Sequence, residues 1–195
     1  MKIVPRRNLS SQGRIVVLNG PSSAGKSSLA RALQECAPDP FLHVQLDVFR
    51  DMEPPGYFRK GQPEVSALRL AALCRAMNAT CAEYARHGQN VLLDHALPAQ
   101  GWRYLAEDLD SFAVLLVGVR CSLEKLEARE RSRGDRPIGL AASQVLEIHA
   151  GRSYDFEVDT TARSVGDCAA AVGEWLAGLP RPTAFPEVVR QCAAV

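Results

Sequence analysis

The chain has 195 residues, of which 47% are hydrophobic and 23% charged, the make-up of a globular protein long enough to bury a core. A formal net charge of +1 gives no basis for wholesale binding to nucleic acid or to a membrane surface. No apolar run approaches the length of a membrane span, and the basic stretch 1–14 lacks the apolar segment of a signal peptide.

In chain order, residues 1–13 carry no periodicity and read as a loose arm. An apolar run at 14–19 predicts a strand, and a helical pattern begins at Ser28. Between them lies Gly20-Pro21-Ser22-Ser23-Ala24-Gly25-Lys26-Ser27-Ser28, with the two glycines, lysine and hydroxyl of a phosphate-binding P-loop. Glycines let backbone N–H groups converge on an anion, and the helix N-terminus adds the positive end of its dipole. Lys26 then reaches the β- and γ-phosphates, and the Ser27 hydroxyl sits on Mg²⁺. The bland alternative is a glycine-rich turn with a solvated lysine.

Pro38 and Pro40 break the chain, and 41–46 predicts a second strand ending at Asp47. A proline- and glycine-rich loop follows. The spacing then predicts a helix over 64–87, with Leu68, Ala71, Ala72, Arg75, Ala79 and Ala82 near one face and Gly88 as its C-terminal stop. A short apolar strand at 90–94 ends in Asp94. A helix opening at Pro98 carries Trp102 and Tyr104, one of them expected in the core and the other free to line a pocket. The continuous apolar run 112–119 predicts a strand buried on both faces. Ser122 caps the next helix, a further helix covers 141–149, a last strand 154–159 and a last helix 164–179. From Pro180 onward the tail is expected to be extended or partly ordered.

The six cysteines form no C-x-x-C pair and none lies at zinc-ligand spacing with a histidine, so they read as reduced thiols in a cytoplasmic protein. Strands alternating with helices imply a parallel sheet with right-handed crossovers, whose site lies outside the carboxyl ends of the strands. The P-loop, Asp47 and Asp94 are all predicted at that edge. One carboxylate there can accept or orient a hydroxyl proton, and the other can hold Mg²⁺ through water. Either can instead merely cap the following element. His95, next to Asp94, can contact an acceptor or simply fill space; His43, His87 and His149 read as surface or structural.

A second cluster runs from Glu124 to Arg136. A helix puts Lys125, Arg129 and Arg133 on one face, and Gly134 allows a turn that re-aims Arg136. Beside a P-loop, such arginines form a lid that neutralises charge on a transferring group. A solvated helix with a Glu127–Arg131 pair is the ordinary meaning of such a run.

The motif set resembles the chloramphenicol phosphotransferase-like family. The likeness rests on Val17-Leu18-Asn19-Gly20 with the P-loop, Val117-Gly118-Val119-Arg120-Cys121, Arg129-Glu130, and Arg133-Gly134-Asp135-Arg136. Gly139, Ala141-Ala142, Gln144, His149, Gly151, Tyr154-Asp155 and 157–161 extend it. The resemblance implies a P-loop kinase fold, α/β in three layers, with a five-stranded parallel sheet, helices on both faces and an arginine-rich lid. It implies ATP as donor, Mg²⁺, and the hydroxyl of a small molecule as acceptor, with chloramphenicol the best named candidate. Asp47 matches the family's catalytic base, Lys26 and Ser27 match its nucleotide-binding residues, and Arg133 and Arg136 match its lid arginines. Arg129 is expected on the nucleotide, and Asp94 with Ser27 at the metal. Residues 50–66 and the pair Asp94-His95 depart from the antibiotic-modifying member. A kinase of a sugar or nucleoside is therefore the alternative, with a non-catalytic nucleotide-binding module behind it. The expected organisation is a flexible arm (1–13), a single phosphotransferase domain (14–179) and a C-terminal tail (180–195).

Overall fold

The computed structural model describes residues 12–57, 62–133 and 139–194. Five strands form one sheet: β1 (Ile15–Asn19), β2 (Phe41–Gln45), β3 (Asn90–His95), β4 (Val114–Arg120) and β5 (Phe156–Asp159). Their order is β2-β3-β1-β4-β5, and every neighbouring pair is parallel. The α/β expectation therefore holds. β1 lies at the centre, and the chain visits β2 and β3 on one side before crossing to β4 and β5 on the other. Such a reversal opens a crevice at the strand C-ends, where ligands bind in sheets of this kind.

Period-two alternation divides the strand residues between two hydrophobic layers. Ile15, Val17, Val91, Leu93, Val114 and Leu116 face one layer, and Val16, Leu18, Leu92, Leu115 and Val117 the other. Helices α1 (Lys26–Cys36) and α7 (Val165–Ala177) pack together beside the second. Helices α3 (Pro63–Arg86), α4 (Ala99–Leu109) and α8 (Ala184–Ala193) cover the first. Two short helices, α2 (Leu46–Arg50) and α6 (Leu140–Val145), border the cavity at the C-terminal edge of the sheet, and α5 (Leu123–Arg133) packs against α6.

Helix α1 illustrates how local chemistry sets a boundary. Leu29, Ala30 and Leu33 make its buried stripe. It stops at Ala37, which is extended (φ −68°, ψ 138°) because the following Pro38 disfavours helical backbone there.

Three expectations are corrected. The second strand ends at Gln45, and the chain turns at once into α2, so Asp47 stands on the first turn of a helix and not at a strand end. The buried face of α3 is Cys74, Met77, Asn78, Cys81, Ala82 and Ala85, whereas Leu68 is 73% exposed. The apolar spacing over 68–72 belongs to a cavity wall (below), which periodicity alone does not distinguish from core. The tail holds helix α8, whose Phe185 is buried in the first layer. Burying one such ring is worth about 1.5–3 kcal/mol, and Ala184 and Val188 are buried with it, so the segment docks as a helix although its prolines made it read as extended.

Candidate active site

The loop between β1 and α1 depends on two glycines. A Cβ on Gly20 would lie 2.4 Å from the Val119 carbonyl oxygen of β4, so only glycine lets the loop leave the sheet there. Gly25 has φ 92° and caps α1, a conformation glycine adopts without strain. Ser22, Ser23, Gly25, Lys26, Ser27 and Ser28 line a cavity of about 670 Å³, and Asp47 and Asp94 line it too. Gly20, Pro21 and Ala24 shape the loop without lining that space. Lys26 Nζ donates to the Pro21 carbonyl at 2.9 Å.

Asp94 is buried at the end of β3, where Ser27 Oγ donates to its Oδ2 at 2.6 Å. His43 Nε2 lies 3.4 Å from the same oxygen, and Lys26 Nζ lies 3.9 Å from Oδ1. Burial alone would raise this carboxyl; the His43 hydrogen bond, the Lys26 charge and the Ser27 hydrogen bond outweigh it and hold it below the usual carboxylate range. His95, buried beside it and lining the cavity, is pushed down to about 4, first by desolvation and then by Lys26, against the opposing pull of Asp94. It is therefore neutral at pH 7.

His43, read from the sequence as surface or structural, does not line the cavity but lies against Asp94, which does. Its signal was faint: one polar residue inside an apolar strand, two positions before the strand's end. Glu130 was hidden by the charge run. It is 1% exposed and accepts from the Gly139 N–H at 2.7 Å and the Ala141 N–H at 3.0 Å, fastening α5 to the start of α6. Gln144, on α6, accepts from the Ser22 N–H of the P-loop at 2.7 Å.

The arginine cluster divides. Arg129 does not line the cavity; its guanidinium donates to the carbonyls of Ser23 (3.2 Å) and Thr160 (2.9 Å) and to Thr160 Oγ1 (3.1 Å). It braces the P-loop against the end of β5, while Lys125, one turn earlier on α5, is exposed. The Glu127–Arg131 pair of the ordinary reading is present at 4.0 Å. Arg133 closes α5, but its side chain and all of Arg136 lie outside the described residues. Of the two aromatic candidates, Trp102 is in the core and Tyr104 lines the cavity.

Asn19 ties this edge together. Its amide nitrogen donates to the Ile148 carbonyl at 3.2 Å and to the Tyr154 hydroxyl at 2.7 Å, and its Oδ1 accepts from the Leu97 N–H at 2.9 Å. One side chain at the end of β1 thus fixes the loops after β3 and before β5.

Both implied ligands have fitting donors. The Ser22 and Ser23 hydroxyl oxygens are buried without a hydrogen-bond partner among the described residues, a cost that a bound phosphate would offset. Ser27 Oγ and the Asp94 carboxylate are oxygen donors of the kind Mg²⁺ takes. No cluster of three or more His, Cys, Asp or Glu able to hold a metal occurs among the described residues, so such an ion would keep much of its water.

The family model described as chloramphenicol phosphotransferase-like protein matches residues 13–177. The chain belongs to that family. Among curated relatives of this family member, a Mycobacterium tuberculosis protein named as a candidate O-phosphotransferase, represented from strains H37Rv and CDC 1551, is 32% identical over 201 residues, covering 89% of this chain and 87% of the relative. Among solved structures, the M. tuberculosis APS kinase in complex with AMPPNP and APS aligns with TM-score 0.65 at 19% identity over 86% of this chain and 99% of the kinase. Shikimate kinase from Acinetobacter baumannii aligns with TM-score 0.59 at 15% identity over 87% of this chain and 96% of that enzyme. At these identities the structures establish the fold alone: the chloramphenicol phosphotransferase-like chain has the P-loop kinase architecture. No helix among its described residues is long and apolar enough to cross a membrane.

Proposed function

We propose that the protein is an ATP-dependent O-phosphotransferase that transfers the γ-phosphate to a hydroxyl of a small molecule. The observation that carries this reading is one cavity lined at once by the phosphate-loop residues Lys26 and Ser27, by Asp94, and by Asp47 on a separate element. The loop N–H groups and Lys26 hold the donor's phosphates. Ser27 and Asp94, the latter through water, would hold Mg²⁺, which supplies charge neutralisation on the phosphates. Asp47 orients the acceptor hydroxyl and takes its proton as the acceptor oxygen bonds to phosphorus and the bond to the departing ADP oxygen breaks. Arg133 and Arg136 serve as lid residues that stabilise charge on the transferring group, and lid closure limits ATP hydrolysis by water. Arg129 positions the loop from behind. The same reading takes 14–179 as the phosphotransferase domain.

The acceptor side supports an alcohol with sizeable apolar surface. Leu46, Leu68, Ala71, Tyr104 and Ile148 line it, and chloramphenicol, acting through its 3-hydroxyl, is the best named candidate. Gln45, Arg50 and Gln100 also line the cavity, and they favour the second reading, a polyhydroxylated sugar or nucleoside. The test is incubation with ATP and Mg²⁺ across chloramphenicol, sugars and nucleosides, read by product mass. A gain of one phosphate on chloramphenicol supports the first reading, and on another alcohol the second. ATP binding without transfer to any alcohol would leave a nucleotide-binding module.

A further inference from the structure

The Ser22 N–H belongs to the loop whose backbone donors converge on an anion. Its acceptor in this structure is an amide oxygen, Gln144 Oε1, at 2.7 Å. A phosphate oxygen is a stronger acceptor than an amide oxygen because it is charged, and one N–H cannot serve both with good geometry. Gln144 stands on α6, the helix that directly follows 134–138, and the start of α6 is fixed to buried Glu130 through Gly139 and Ala141. Besides the packing of Ala141 and Val145 on the second layer, α6 is held by these two hydrogen-bonded attachments among the described residues. One is buried and made to a carboxylate; the other is made to a donor that phosphate can claim. The hydroxyls of Ser22 and Ser23, buried and unpartnered among the described residues, mark the same spot as one that receives further acceptors.

We propose that Gln144 is a latch released by the donor's phosphates. Its Oε1 pins α6 to the P-loop, and an incoming nucleoside polyphosphate takes the Ser22 N–H and displaces it. Because Gln144 shares the cavity wall with Leu140, Glu147 and Ile148, its release alters the acceptor side of the pocket. Donor occupancy is thereby coupled to acceptor access. The inference rests on the nucleotide-binding reading above.

The test is calorimetric titration of AMPPNP with Mg²⁺ into the parent, Gln144→Ala and Gln144→Glu. Without the latch there is one fewer hydrogen bond to break, so Gln144→Ala binds about two- to ten-fold tighter. Gln144→Glu binds more weakly than the parent, because a carboxylate competes for the same N–H and repels phosphate. In the parent, amide hydrogen exchange over 139–150 rises on nucleotide addition; in Gln144→Ala it is already raised. Unchanged or weaker binding by Gln144→Ala, or exchange in the parent that falls on binding, overturns the latch while leaving the nucleotide reading intact. Absence of AMPPNP binding by the parent overturns both.

Discussion

Ser27 Oγ lies 2.6 Å from Asp94 Oδ2, a hydrogen bond that joins the first turn of α1 to the end of β3. Leu18 of β1 lies opposite Asp94 of β3 in the parallel register, and the P-loop carries the chain from the end of β1 to Ser27 on α1. The hydroxyl and the carboxylate proposed above to hold Mg²⁺ are thus already in contact with each other. Asp94→Asn keeps the shape and removes the charge. The expected outcome is a loss of kcat of about 100-fold or more. A higher Mg²⁺ concentration is needed for half-maximal rate, and nucleotide affinity measured without metal is not weakened. Steady-state rates over a Mg²⁺ titration, with metal-free binding beside them, check it.

His95 gives a pH dependence of stability. Burial pushes its imidazole down to about 4 from 6.5, so the folded protein binds this proton less readily than the unfolded chain. The contribution is complete above pH 6.5 and is lost as pH falls towards 4, on the order of 3 kcal/mol in all. His149 is lowered too, by burial and by Arg120, and adds to the slope in the same direction. Depressed Asp94 contributes above its unfolded value and is lost only at more acid pH. Urea midpoints between pH 7.5 and 4.5 will fall for the parent and fall less for His95→Gln. Equal slopes for the two proteins would count against a buried neutral His95.

Much of the fold is readable from local pattern because the sheet is buried on both faces. The runs at 14–19 and 112–119 have no alternative to central strands, and Gly20 and Gly25 announce the loop between them. Other elements depend on contacts that arise only in three dimensions. Residues 68–72 have the spacing of a core stripe, yet they extend past the packed half of α3 and form a pocket wall. Helix α8 is hidden by Pro180, Pro182 and Pro186, and its docking depends on Phe185 finding the layer beneath it. The site divides in the same way. Lys26 and Ser27 are marked by the loop motif and Asp94 by a strand end, whereas the strand end expected at Asp47 is the first turn of α2. His43, Glu130 and Gln144 act through partners distant in sequence, and no spacing rule connects them.

Glu130 is the clearest of these hidden residues, a buried carboxylate accepting two backbone N–H groups at the start of α6. Glu130→Ala leaves both donors without that acceptor and is expected to cost about 2–4 kcal/mol. The local signature is loss of amide-exchange protection at Gly139 and Ala141, while the strands β1 and β4 keep theirs. Calorimetric unfolding and residue-resolved exchange check the two parts. Glu130→Gln, which keeps an acceptor oxygen, will recover part of the loss.

The central claim is that Asp47, on the first turn of α2 and on the wall of the nucleotide cavity, orients and deprotonates the acceptor hydroxyl. The most direct measurement is phosphoryl transfer from ATP to the best acceptor of the alcohol panel by the parent and by Asp47→Asn, with AMPPNP affinity measured for both. Nucleotide affinity is expected to be unchanged, and the transfer rate lowered about 100-fold or more in the variant. Equal transfer rates in the two proteins would contradict the claim.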